Sequence, residues 1–154
     1  IAETGWYYPL FWKFTGFLHA KGGFLDDRTK DIEIDYERFY LGGMNSVRGY
    51  DWQDINATPE GELEQRGGEK FIQFNAEVIF PIVEDVNLAG VIFYDAGDAY
   101  LKDENIELGE LYTSCGGGFR WYSPMGPIRI EYGKVLEGKG YSGGRWEFSM
   151  GGAF

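Results

Sequence analysis

The chain has 154 residues, 24 of them glycine, with 25 acidic against 14 basic side chains and a net charge of -11. That length holds one domain at most, and so acidic a chain lacks the clustered Lys and Arg that phosphate neutralisation needs, which excludes nucleic acid as a partner. One cysteine, Cys115, and one histidine, His19, exclude an intrachain disulfide framework and any Cys- or His-rich metal cluster. Aromatic residues make up 18% of the chain, more than an ordinary soluble core of this size requires.

Taken in chain order, the segments alternate with period two, the spacing of a strand with two different faces. Ile1 to Tyr8 is a partial strand. From Trp12 to Phe24, Trp12, Phe14, Leu18, Ala20 and Phe24 share one side, against Lys13, Thr15, His19 and Lys21. A long polar connection, Asp26 to Glu69, follows. From Lys70 to Phe80, Ile72, Phe74, Ala76, Val78 and Phe80 oppose Gln73, Asn75 and Glu77, with Phe71 and Ile79 as exceptions. Val86 to Tyr100 fits more loosely. From Leu111 to Trp121, Leu111, Cys115, Phe119 and Trp121 oppose Tyr112, Ser114, Gly116, Gly118 and Arg120. In Ile128 to Leu136, Ile128, Ile130 and Tyr132 oppose Arg129, Glu131 and Gly133. From Arg145 onward, Trp146, Phe148, Met150, Gly152 and Phe154 alternate with Arg145, Glu147, Ser149 and Gly151. The total is about seven strands and no convincing helix.

The connections alternate in length. Pro9-Leu10-Phe11, Ile82 to Asp85 and Ser123 to Gly126 are tight, whereas Asp26 to Glu69, Lys102 to Glu110 and Glu137 to Gly144 are long and polar. Rings flank each tight turn: Tyr7, Tyr8 and Trp12, then Phe80, then Trp121 and Tyr122. No apolar run approaches the roughly 18 residues of a membrane helix. A soluble antiparallel sandwich would also alternate, with its apolar face as the core. Charged and glycine-rich inner faces, rings at the turn level and short turns at one end favour the alternative, an all-β antiparallel transmembrane β-barrel. There is no signal-peptide pattern, and Ile1 is not a natural start, so the chain reads as an internal or processed piece of something longer.

Within the long connection, Phe39 to Tyr50 stands apart, because Gly42, Gly43 and Gly49 permit close backbone approach and frame Arg48 between Val47 and Tyr50. A guanidinium favours bidentate pairing with a carboxylate. Strand phase points Glu77 and Asp95 to the interior, which makes them candidate acceptors; a solvated Arg48 in a glycine-rich surface loop is the alternative.

Gly43-Met44-Asn45-Ser46-Val47-Arg48-Gly49-Tyr50 resembles the VRGF/Y signature of the BamA/TamA superfamily of outer-membrane assembly and transport barrels. Phe74 to Pro81, Phe93 to Gly97 and Arg120 to Arg129 resemble successive strands of such barrels, in order along the whole length. The resemblance implies the C-terminal half of a barrel of sixteen strands, with about seven or eight present. On that scale Ile1 falls in the tenth strand, residues 26–69 form an extracellular loop, Phe154 is the C-terminus, and the N-terminal periplasmic domains are absent. It implies that the loop folds into the lumen, that Gly43, Val47, Gly49 and Tyr50 build its motif, and that Arg48 contacts Glu77 and Asp95. It implies further that Trp146, Phe148, Met150, Gly152 and Phe154 form the β-signal and a seam strand that pairs weakly with the first strand, weakened by Gly151 and Gly152.

The function implied is non-enzymatic folding and insertion of client β-barrels into the bacterial outer membrane. A TamA-like or two-partner-secretion translocation barrel, or a generic small porin-like barrel, are the alternatives. Implied partners are outer-membrane lipid, nascent outer-membrane proteins and, for the full-length protein, assembly-complex lipoproteins. Neither cofactor nor metal is implied. Asp51, Asp54, Glu60, Glu62 and Glu64 lack a fixed calcium-ligand spacing, Asn56-Ala57-Thr58 is a chance sequon, and Cys115 reads as a small lipid-facing residue. Because an open sheet edge is not viable in lipid, the edges are expected to be completed by one more strand and closure as a small barrel, by self-association, or by detergent.

Overall fold

The computed structural model describes residues 1–25, 38–58 and 66–151. Seven strands form one antiparallel sheet in chain order: β1 (Ala2–Pro9), β2 (Thr15–Phe24), β3 (Lys70–Val83), β4 (Leu88–Tyr100), β5 (Tyr112–Ser123), β6 (Gly126–Glu137) and β7 (Gly144–Met150). Each strand pairs with its chain neighbours only, the pattern of an up-and-down meander. Among the described residues no helix is long and apolar enough to cross a membrane, and the strands do the crossing.

Alternation becomes two unlike faces once the register is set. Across β2 to β6 the inward row at one level is His19, Asn75, Asp95, Ser114 and Val135, with Phe17, Glu77, Phe93, Gly116 and Gly133 below it. The opposite face carries Leu18, Phe74, Ile92, Phe119, Ile130, Trp146, Phe148 and Met150, all exposed. Large apolar side chains left bare over a whole sheet face mean that the sheet meets lipid.

The concave side is filled by the 38–58 stretch of the long connection. It enters as a narrow stem held by bridges between Phe39 and Gly68 and between Leu41 and Ile55. The hydrophobic core is made where this stem meets the wall: Leu41, Val47, Tyr50 and Ile55 pack against Phe71, Ala99, Tyr112 and Val135. That contact explains why Phe71 breaks the alternation of β3. It points inward, with its ring centroid 4.6 Å from that of Phe39. A smaller cluster of Ala96, Tyr100 and Leu111, flanked by Ile72, forms near the β4–β5 connection.

Three details differ from the sequence reading. Trp12 and Phe14 fit the β2 alternation but precede the strand, because Trp12 takes a left-handed backbone (φ 56°) in the β1–β2 turn. Val86 ends a short 3-10 turn over Glu84–Val86, closed by Asn87 at φ 55°, so β4 starts at Leu88. The described strands show neither an additional strand nor closure as a small barrel, since the order β1 to β7 leaves an open sheet. Seven strands are too few to curl round an occupied lumen and meet. Gly152 and Phe154 of the expected β-signal lie outside the described residues, as do Glu60, Glu62 and Glu64.

Candidate functional site

The site is built by the tip of the loop. Gly43 N–H donates to Tyr50 O at 3.0 Å and Ser46 N–H to Gly43 O at 3.0 Å, which ties residues 43–50 into a compact turn. Gly49, at φ 93°, lets the chain reverse beside the barrel wall. Gly133 of β6 is the matching indentation: a Cβ there would meet Gly49 N at 2.6 Å and Arg48 C at 2.8 Å. Two glycines thus bring loop backbone directly onto strand backbone, which no larger pair would permit.

That approach delivers Arg48, 2% exposed, into the wall. Its Nε and Nη2 donate to the two carboxylate oxygens of Asp95, each at 2.7 Å, and its backbone N–H donates to Asp95 Oδ2 at 3.1 Å. Nη1 lies 2.8 Å from Glu77 Oε1 and 2.7 Å from Glu131 Oε2. The guanidinium carbon sits 3.5 Å from the centroid of the Phe93 ring, a cation–π contact from below. Arg48, Glu77 and Asp95 are therefore brought together, and the solvated-loop alternative for Arg48 does not describe this structure.

Sequence reasoning missed half of the cluster. Arg120 donates to both oxygens of Glu77 at 2.8 Å and to Glu131 Oε1 at 2.8 Å. Arg129 reaches both oxygens of Glu131 at 3.2 Å and Asn45 Oδ1 at 3.2 Å. Glu131, fully buried, is thus shared by guanidinium groups from the loop, β5 and β6. Three arginines face three carboxylates, so charge balances within the buried cluster, and every acid has donors. Arg120, Arg129 and Glu131 share the polar phase of their strands, and that phase was the available signal.

Around this centre, Asn75 donates to Asp95 Oδ1 at 2.8 Å and to Ser46 O at 2.7 Å, and Gln73 donates to Asn75 Oδ1 at 2.8 Å. Tyr50, the last motif residue, is buried against Tyr112 and Tyr141, and its hydroxyl donates to Glu137 O at 2.7 Å and lies 3.1 Å from Thr113 O. Burial pushes that phenol well above its ordinary range. Val47 is fully buried in the core beneath the motif, while Gly43 takes a positive φ of 89° and has open space around it. On β7, Gly49 N–H donates to Glu147 Oε1 at 3.1 Å, and Arg145 pairs with Asp51 of the loop at 2.8 Å. That arginine, together with the Trp52 N–H, holds the Asp51 carboxyl below its usual range. Trp146, Phe148 and Met150 lie on the opposite, outward face and touch none of this. Cys115 shares that outward phase, between Tyr94 and Lys134.

The arrangement presents no nucleophile beside a base. It is a buried polar clamp that seats a long loop inside a membrane sheet. Residues 2–154 match the family model for the Omp85 superfamily domain. The chain belongs to the Omp85 superfamily. Among its relatives, the outer membrane protein assembly factor BamA of Nitratidesulfovibrio vulgaris is 39% identical over 144 residues, covering 87% of this chain and 18% of that protein. The BamA of Neisseria meningitidis serogroup B is 30% identical over 166 residues, covering 87% of this chain and 21% of that protein. The chain therefore spans about a fifth of the length of the curated relatives it matches. In fold it is similar to the crystal structure of BamA from Haemophilus ducreyi lacking POTRA domains 1-3, with a TM-score of 0.71, 20% identity, and 95% of this chain and 32% of that one covered. Together with the lipid-facing sheet, this Omp85 kinship places the chain in the bacterial outer membrane as part of a transmembrane β-barrel.

Proposed function

We propose that this Omp85 chain is the C-terminal barrel segment of an outer-membrane protein assembly factor, working on nascent β-barrel proteins without making or breaking a covalent bond. In this reading residues 26–69 are an extracellular loop folded back into the lumen, and periplasmic domains precede the segment in the full-length protein. Client strands, outer-membrane lipid and, in the whole assembly, partner lipoproteins are its ligands. Catalysis is mechanical: the barrel distorts the bilayer and offers its strands as a template.

The observation that carries the reading is the charge-balanced seat of Arg48 between Glu77, Asp95 and Glu131. Buried ion networks of this kind cost desolvation and add little net stability over an apolar core, so their presence argues for a fixed arrangement rather than for strength alone. A barrel whose task is to hold its lumen loop in one place has that requirement.

The test replaces Arg48 by Ala, and separately by Lys, in the full-length protein reconstituted in liposomes. Insertion of a client barrel is expected to fall by about tenfold for Arg48→Ala, with Arg48→Lys between it and the native protein because an ammonium cannot fork across a carboxylate. Unchanged client insertion with the loop released from the wall, judged by protease cleavage within residues 38–58, overturns the reading. Passage of a polypeptide across the bilayer instead of into it would reassign the chain to the translocation barrels.

A further inference from the structure

Strand β7 is held in an unusual way. It has seven residues where β3 has fourteen, and it hydrogen-bonds to β6 on one side while its other edge has no partner among the described strands. Its outward side chains, Trp146, Phe148 and Met150, face lipid, which gives no directional hold. Its inward side chains are Arg145, Glu147 and Ser149, and two of these three reach the loop. Glu147, only 8% exposed, receives the Gly49 N–H next to the Arg48 seat. Arg145, 2.8 Å from Asp51, adds a second tether two residues later in the loop and two residues earlier in the strand. Tyr141, in the β6–β7 connection, donates its hydroxyl to Asp54 O at 3.1 Å, so the loop grips the approach to β7 as well.

We infer that residues 49–54 of the loop are a latch that sets the orientation of the edge strand β7 from inside, with Glu147 as the principal positioning residue and Arg145 as the second. The register of the two tethers supports this. Gly49 and Asp51 are two apart, Glu147 and Arg145 are two apart in the opposite direction, so loop and strand lie antiparallel across the lumen face and their contacts match step for step. The first tether is a carboxylate that accepts a backbone donor, a geometry that only the left-handed turn at Gly49 offers. The Arg48 seat fixes the loop to β3, β4 and β6, and the latch passes that position on to β7. Contacts with lipid set no direction, so the orientation of β7 about its pairing with β6 is fixed from the lumen. The latch is a property of the barrel itself and does not depend on what the barrel assembles.

The experiment measures amide hydrogen exchange in the full-length protein in lipid vesicles, comparing peptides over 144–150 with peptides over 70–100. Glu147→Ala is expected to raise exchange in 144–150 by about tenfold and to leave 70–100 unaltered, whereas Glu147→Gln, which keeps an acceptor oxygen for Gly49 N–H, stays near the native rate. The second tether is tested by charge reversal: Asp51→Arg and Arg145→Asp each raise exchange in 144–150, and the two together restore it. Native exchange over 144–150 in Glu147→Ala overturns the inference, as does an equal rise over 70–100, which would mean general loosening. If Glu147→Ala does not fold, the reversal pair decides, and failure of the double variant to restore protection overturns the inference. Client insertion is recorded in parallel, so that loss of the latch and loss of the proposed activity are read separately.

Discussion

The two flanks of the sheet invite comparison, because among the described strands β1 and β7 each pair on one side and yet are packed very differently. Every residue of β1 is exposed, including the inward-facing Glu3, Gly5 and Tyr7. Tyr7 stacks on Phe17 with centroids 4.4 Å apart, and Glu3 bridges to His19 at 2.8 Å, but these contacts stay within β1 and β2 and border an open cavity of about 380 Å³. On β7 the inward Glu147 is buried because the loop lies on it. Both strands have period two, and among the described residues the difference is the loop, which is tied to β7 through Glu147 and Arg145. Burial in this molecule follows the loop. The sheet is a curved wall, and the 38–58 stretch is the core that a soluble protein would have obtained from a second layer.

The largest break in that contrast is expected from Glu131. Glu131→Ala removes the acceptor shared by Arg48, Arg120 and Arg129 and leaves the buried cluster with an excess of positive charge, a loss of about 3–5 kcal/mol. The same truncation on the other flank, Glu3→Ala, ends a contact with His19 and a pairing with Lys21 whose carboxylate side chain is 53% exposed, and is expected to change stability by less than about 0.5 kcal/mol. Urea unfolding of the two variants in lipid vesicles measures both numbers. Similar midpoints for the two would mean that the lumen cluster is no more important than a surface pair.

How much of this was legible beforehand depends on which interaction set the residue's place. Alternation is a local property, so the strands, their outward rings and the inward phase of Glu77 and Asp95 could be read directly. Phe71 could not, because its burial is decided by Phe39, thirty-two positions away and reached only through the loop stem. Trp12 and Phe14 fit the phase of β2, yet a left-handed residue in the turn removed them from the strand. The cluster shows the same division. Arg48 and two acids are sufficient to satisfy one guanidinium, so nothing in the motif calls for further partners. Register, which sequence does not print, places Arg120 directly across from Arg129. Two like charges opposite one another on an inner wall demand a shared anion, and Glu131 supplies it.

Steric substitutions sharpen the contrast at intermediate size. In Gly133→Ala the added methyl would sit 2.6 Å from Gly49 N and 2.8 Å from Arg48 C, both backbone atoms that cannot rotate away. Displacing the motif is expected to cost about 1–3 kcal/mol and to open residues 38–58 to protease. In Gly5→Ala on β1 the nearest atom is Phe17 Cε2 at 3.2 Å, a side-chain ring edge and not backbone, so a small shift of the ring relieves it and protease resistance should stay native. If both variants behave alike, the loop is not seated on β6 as the geometry has it.

The smallest effect belongs to the Asp51–Arg145 tether, and its sign with pH follows from its chemistry. The arginine and the Trp52 N–H lower the Asp51 carboxyl below its ordinary value of 3.8, so the folded state prefers the ionised form. A group depressed in this way contributes fully above its ordinary value and loses its contribution as pH falls through the folded value. Protection of residues 144–150, normalised to intrinsic exchange, should therefore be flat from neutral pH to about 4 and drop below it. Asp51→Asn should show a reduction of about threefold or less already at neutral pH, since the carboxylate is exposed and the pair screened, and should abolish the acid drop. The 70–100 wall does not carry this tether and has no reason to share that profile, and a parallel acid drop there would place the transition outside the latch.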